Sequence, residues 1–205
     1  MEFHLAGHVR TLKDFLVHLG IVTLGILIAL GLEELAAAHH RSKVAREAVA
    51  GFRRELADNR AQVEEVLSNM PELRAKIRAQ VDSLNALGSA ESKSAVPIAY
   101  PGIYFDLVSS ASWDTAIATQ ALIDIPYADA KRYSEAYGVF HIFMDEERTG
   151  LATWQDLRSF GEDAALLTPD RRRALIEQLR RYESFTYVID VVGKGALQSC
   201  DRALQ

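Results

Sequence analysis

The chain has 205 residues, a formal net charge of -5 and one cysteine. An acidic balance disfavours a general nucleic-acid role, which needs a basic surface for phosphates. A single cysteine rules out an intrachain disulfide and a thiolate metal cluster, leaving only an intermolecular bridge through Cys200 open.

Residues 15–32 form an uncharged apolar run, with His18 and Thr23 as its only polar side chains and Arg10 and Lys13 just before it. At about 1.5 Å per residue, an 18-residue helix spans roughly 27 Å, just under the roughly 30 Å of a bilayer's hydrocarbon. A soluble core helix of this length would show a polar stripe, and this one does not. Ala36-Ala37-Ala38 resembles a signal-peptide cleavage site, but the run exceeds a usual signal core and Glu33 and Glu34 intervene. The expectation is therefore an uncleaved transmembrane anchor and exit over residues 15–38, after an N-terminal tail at 1–14. The lipid bilayer is the first partner implied.

Orientation rests on two opposed arguments. Arg41, Lys43 and Arg46 after the run outnumber Arg10 and Lys13 before it, which favours an internal second flank. A short tail followed by one apolar run is the layout of a signal anchor, with the main domain on the periplasmic side of a bacterial inner membrane. The second is the reading adopted. Within the run, Gly25 and Ala29 are one turn apart, with Glu33 a turn further on the same face; such small-xxx-small faces let two membrane helices approach closely.

Beyond the anchor, Val44, Ala48, Phe52, Leu56, Val63, Leu67, Met70, Leu73, Ile77, Val81 and Leu84 recur at helical steps, with charges such as Arg54 and Asp58 opposite. This predicts a long amphipathic stalk or bundle helix over 39–87, kinked or restarted at Pro71. Residues 88–102 lose periodicity and collect Ser, Gly, Pro97 and Pro101, the composition of a returning loop. The remaining bundle helices fall in 103–205. One covers about 112–123, with Ser112 as a cap, Asp114 in the first turn and Trp113, Ile117 and Leu122 inward. Another starts at Pro126 and carries Ala130, Tyr133, Tyr137, Phe140, Met144, Leu151, Trp154 and Leu157, with an interruption at Thr149-Gly150. Thr168-Pro169-Asp170 starts the last, whose face is Leu175, Leu179, Tyr182, Ile189 and Val192 and whose end Gly193 and Gly195 weaken. The fold expected is all-α: a transmembrane helix continuing into a stalk and a helical bundle.

Motifs for chemistry are sparse. Glu33, Glu34, His39 and His40 suggest a metal cluster, but no Glu-x-x-His or His-Glu-x-x-His occurs, so they read as interfacial polar residues. His141 and Asp145 read as a surface pair, Gly193-Lys194-Gly195 lacks phosphate-loop spacing, and the arginines at 171–173, 180 and 181 are interleaved with acids as on a solvated face. No catalytic residue, cofactor or metal is assigned. Trp113, Tyr133, Tyr137 and Trp154 are the aromatic residues that would form either a bundle core or a ligand pocket.

Ile21-Val22-Thr23-Leu24-Gly25-Ile26-Leu27-Ile28-Ala29-Leu30, followed by Phe52-Arg53-Arg54-Glu55-Leu56-Ala57-Asp58-Asn59, resembles a group of uncharacterised bacterial single-span membrane proteins. These share an Ile-Val-x-x-Gly-(Val/Ile)-Leu-Ile-Ala-Leu span and a following Leu-x-x-Glu-Leu-x-x-Asn helix. The resemblance covers roughly residues 12–60, with an echo in the Ser-x-x-Trp-Asp-Thr-Ala segment at 110–116. It implies an architecture and brings no activity. The function expected is non-enzymatic: a single-pass protein acting through a protein partner or as a homo-oligomer, such as an accessory subunit of a membrane complex. The alternative is a membrane-anchored helical sensor or small-ligand-binding domain.

Overall fold

The computed structural model describes residues 12–87, 97–103 and 108–205. Arg10, most of the expected tail and the first part of the expected loop lie outside the described residues. The fold is all-α. Helix α1 runs Leu12–Ala86, α2 Ala111–Ala118, α3 Tyr127–Arg158 and α4 Pro169–Leu204, with 3-10 turns at Ala121–Asp124 and Ala164–Leu166.

Two parts of α1 have opposite surroundings. In the apolar stretch the side chains stand free, Leu24 at 59% exposure and Leu27 at 61%, and this helix is long and apolar enough to cross a membrane. From Ala45 onward one face is buried: Phe52, Leu56, Val63, Val66, Met70, Leu73, Ile77, Val81 and Leu84 follow the helical period. Val44, Ala48 and Leu67, expected inside, are partly buried at its edge. The restart expected at Pro71 is corrected: α1 continues through it. A proline costs the helix one backbone bond, and contacts across the bundle flank this one on either side. Leu67 packs where a side chain at Gly193 would sit, and Arg74 pairs with Asp190 at 2.8 Å.

Cross-bundle pairs fix the topology. Arg60 meets Asp201, Arg74 meets Asp190 and Arg78 meets Glu183, so α4 runs antiparallel to α1. Phe52 touches Tyr133 and Glu55 touches Tyr137, so α3 runs parallel to α1. At the end far from the apolar segment, residues 97–102 lie across the bundle. Ile98 N–H donates to Glu162 O, Trp154 Nε1 to the Pro101 carbonyl and Ala99 N–H to Gln80 Oε1. Ser109 lies beside Asn59 of α1, and from there the chain turns into α2, which heads back towards the apolar segment.

Three further expectations are corrected. The helix expected over 112–123 ends at Ala118, and Gln120 at φ 57° starts a 3-10 turn. Ala116 takes the slot facing α1, so Ile117, about 100° further round, is 53% exposed. Gly150 does not interrupt α3, nor do Gly193 and Gly195 weaken α4; both helices run on because two of these glycines are notches for side chains of a neighbouring helix. A Cβ at Gly150 would lie 2.2 Å from the Phe185 ring, and one at Gly193 2.8 Å from Leu67. Cys200 is fully buried, its thiol donating to the Leu56 carbonyl, so an intermolecular disulfide has no access to it. The Thr168 cap forms as expected, accepting from Arg171 N–H, whereas Pro126 precedes the first residue of α3 as its cap.

The glycine notches give a signed prediction. Gly138 is exposed with open space around it, so Gly138→Ala should stabilise the domain by up to about 1 kcal/mol through helix propensity. Gly150→Ala gains the same propensity but must displace Phe185, whose ring stacks on Tyr182, and should cost a net of about 1–2 kcal/mol. Urea unfolding of both variants reads the two signs.

Candidate functional site

The most organised polar cluster lies where α2 docks on α1. Asn59 is buried on α1 and makes a two-way bond with Ser109: its Nδ2 donates to the Ser109 carbonyl at 2.7 Å, and its Oδ1 accepts from Ser109 N–H at 2.8 Å. One turn earlier, Glu55 accepts from Ser112 N–H at 2.9 Å, Ser109 Oγ at 3.0 Å and the Tyr137 hydroxyl at 2.8 Å. Spacing four on a helix puts both side chains on one face, so two residues of α1 grip one strap.

The grip also caps α2. Expected to start on a Ser112 side-chain cap, the helix instead has Ser110 at its cap position without a side-chain cap bond. Ser109 Oγ accepts from Ala111 N–H, and Glu55 takes Ser112 N–H. A carboxyl group from another helix thus satisfies a first-turn donor that α2 leaves open. Ser110 Oγ donates to Asp114, the expected first-turn carboxylate.

Beside the clasp, three of the four aromatic residues singled out by sequence come together. Phe52 lies 5.5 Å from Trp113, 5.0 Å from Tyr133 and 5.9 Å from Tyr137, and Trp113 stacks on Tyr137 at 5.4 Å. Rings at these separations fill the space between them; each such pair contributes about 0.5–1.5 kcal/mol beyond area burial. Trp154 is elsewhere, bonded to Pro101 at the far end with the Arg158 guanidinium 5.7 Å from its ring. Burial, and then Glu55 beside it, push the Tyr137 hydroxyl well above its ordinary 10.0; burial alone does the same for Tyr182. Burial also pushes the Cys200 thiol up to about 11.

Two grooves flank α2. One of about 450 Å³ is lined by Val44, Ala48, Gly51, Thr115 and Ala116. The other, about 440 Å³, presents Arg54, Asp58, Gln62 and the clasp residues, with Gln62 Oε1 buried and unbonded. Gly25, Ala29 and Glu33 are exposed along α1, and among the described residues no other element approaches within 4 Å of a Cβ placed on Gly25. Glu33, Glu34, His39 and His40 are exposed too, and among the described residues no three His, Cys, Asp or Glu side chains converge as metal ligands. Asp145 pairs with Arg148 at 2.7 Å.

Sequence reasoning placed Trp113 and both tyrosines but missed Glu55 and Asn59 as a unit. The signal was an amide at a core position of an otherwise apolar face, with a carboxylate one turn before it. Both residues sit in the stretch 52–59, and the fold brings that stretch into contact with Ser109 and Ser112. The class defined is an all-helical bundle sharing one continuous helix with a membrane-length apolar segment. Comparison with family models, curated proteins and solved structures finds no match.

Asn59→Ala leaves both polar groups of Ser109 without their partner and should cost about 1–3 kcal/mol. Glu55→Gln presents an amide donor where only donors converge, and should cost a similar amount. Hydrogen exchange in both variants should rise first at residues 108–118. A pH series tests the titrating groups. Their folded-state pKa values lie above the unfolded ones, so above pH 9–10 the unfolded chain releases protons that the folded chain keeps. Unfolding free energy should therefore fall as pH rises from 9.0, the ordinary value for Cys200, and more steeply past 10.0, that of Tyr137. Tyr137→Phe should flatten the upper part of that slope.

Proposed function

We propose that this protein is a non-enzymatic, single-pass membrane protein whose helical domain works through contact with a protein partner or a second copy of itself, as an accessory subunit of a membrane complex would. The observation that carries the reading is α1. Its 18-residue apolar window has none of its residues buried, yet it is continuous with the helix that organises the bundle. Apolar surface of that extent is covered by lipid or by another helix. Gly25 and Ala29, open on one side, suit close helix approach within the bilayer. The location proposed is a bacterial inner membrane with the bundle on the periplasmic side.

The sensor alternative draws on the aromatic residues, and their ring-to-ring packing supports a core more than a ligand chamber. An absence of catalytic chemistry is part of the proposal and rests on the sequence motifs.

Cross-linking tests it. In membranes resistant to alkaline extraction, Gly25→Cys should give a disulfide-linked species, whereas Leu27→Cys, on the opposite helix face, should not. Equal cross-linking at both positions, or none at either, removes the helix-pairing reading, and release by alkali removes the anchor. For sidedness, Leu166→Cys, 83% exposed at the far end, should react with an impermeant thiol reagent in intact cells. Buried Cys200 would stay protected on either side and serves as the internal blank.

A further inference from the structure

The part of the bundle nearest the apolar span is the turn from α2 into α3. α2 descends from Ser112 beside Glu55 to Thr119 in the groove with Val44. The 3-10 turn then places Asp124 3.8 Å from the Arg41 guanidinium, and α3 starts back upward at Tyr127. Among the described residues the opposite helix, α4, reaches Leu204, with its Asp201 level with Arg60. On this turn Ile123 is 75% exposed and Tyr127 83%, and Leu35, on α1 below it, is 68% exposed.

Distances along α1 say what that tip meets. Arg41 lies nine residues beyond Leu32, about 13 Å at about 1.5 Å per residue. The headgroup layer accounts for about 5–7 Å of it. Helical side chains lean towards the N-terminus, so the Arg41–Asp124 contact lies several ångströms below the Arg41 backbone. A typical tilt of about 20° towards this side lowers an element packed about 9 Å off the axis by about 3 Å. What gap remains is within the reach of an isoleucine or tyrosine side chain. Tyrosine is enriched at this depth because its ring is apolar and its hydroxyl is not.

We infer that the turn carrying Ile123 and Tyr127 rests on the bilayer, inserting both side chains into the headgroup layer as a second membrane contact beside the anchor. The inference rests on the membrane reading of α1. Most charges around the tip are paired within the protein, Arg41 with Glu34 and Asp124, Lys43 with Glu47, Arg132 with Asp129 and Lys131 with Glu135, while Arg46 donates to Ser42 Oγ. The contact is therefore apolar in character, and zwitterionic lipid suffices for it.

Full-length protein carrying an environment-sensitive fluorophore at Ile123→Cys, Tyr127→Cys, Leu27→Cys or Leu166→Cys, reconstituted in phosphatidylcholine vesicles, tests this. Lipids bearing a nitroxide high on the acyl chain should strongly quench the labels at 123 and 127 and leave that at 166 unchanged. A nitroxide deep in the chain should quench the label at 27. Quenching at 27 without quenching at 123 and 127 overturns the inference while the anchor stands; no quenching at 27 overturns both. Blue-shifted but unquenched emission at 123 marks a protein surface, such as a second copy, and also overturns it. Quenching at 123 and 127 that appears only when anionic lipid is added would overturn the apolar character assigned to the contact.

Discussion

The continuity of α1 is the constraint on which the rest of the structure depends. One helix of 75 residues, about 110 Å at about 1.5 Å per residue, carries both the apolar stretch and the longest face of the bundle. The proline inside it, Pro71, lies between Leu67, seated against Gly193, and Arg74, paired with Asp190. The Gly25, Ala29 and Glu33 face and the Glu55–Asn59 pair lie along one continuous helix.

Against that rod, α2 is the weakest piece. A helix of eight residues does not form alone, because the cost of nucleation outweighs its few backbone bonds. Its stability comes from outside. Asn59 replaces the backbone pairing that Ser109 would find in regular structure, Glu55 satisfies the Ser112 N–H, and Phe52 and Tyr137 pack on Trp113. A buried amide on an apolar face is costly unless both of its functions are met, and here both are. The same two side chains therefore hold the strap and make their own burial tolerable.

Helix positions were legible because the 3.6-residue period survives in every long element, and the Thr168 start signal was legible because the cap is chemistry of adjacent residues. What sequence misjudged shares one cause. Gly150 and Gly193 look like breakers when weighed locally, but in the fold they are the gaps that admit Phe185 and Leu67. Pro71 likewise looks like a boundary, yet cross-helix packing on both sides overrides it. Asn59 and Gln80 interrupt apolar faces, and their partners, Ser109 and Ala99, come from strap segments whose path no periodicity reveals. Trp113, Tyr133 and Tyr137 could be grouped in advance as large rings on amphipathic faces; Trp154 separates from them because its position is nearly five turns beyond Tyr137 along α3, at about 3.6 residues per turn, level with the strap at Pro101.

These features meet in the lower third of the bundle. α2 is the only element between the clasp at Glu55 and Asn59 and the turn at Ile123 and Tyr127, and at about 1.5 Å per residue its eight residues span about 12 Å. It packs on α1 at one end through a carboxylate, an amide and a ring, and at the other through Asp124 against Arg41. Both contact points lie on α1, and α3, which opens at Tyr127 and bonds Glu55 through Tyr137, closes the same circuit from the other side. The polar cluster and the exposed turn are thus two ends of one short unit mounted on the helix that carries the apolar segment.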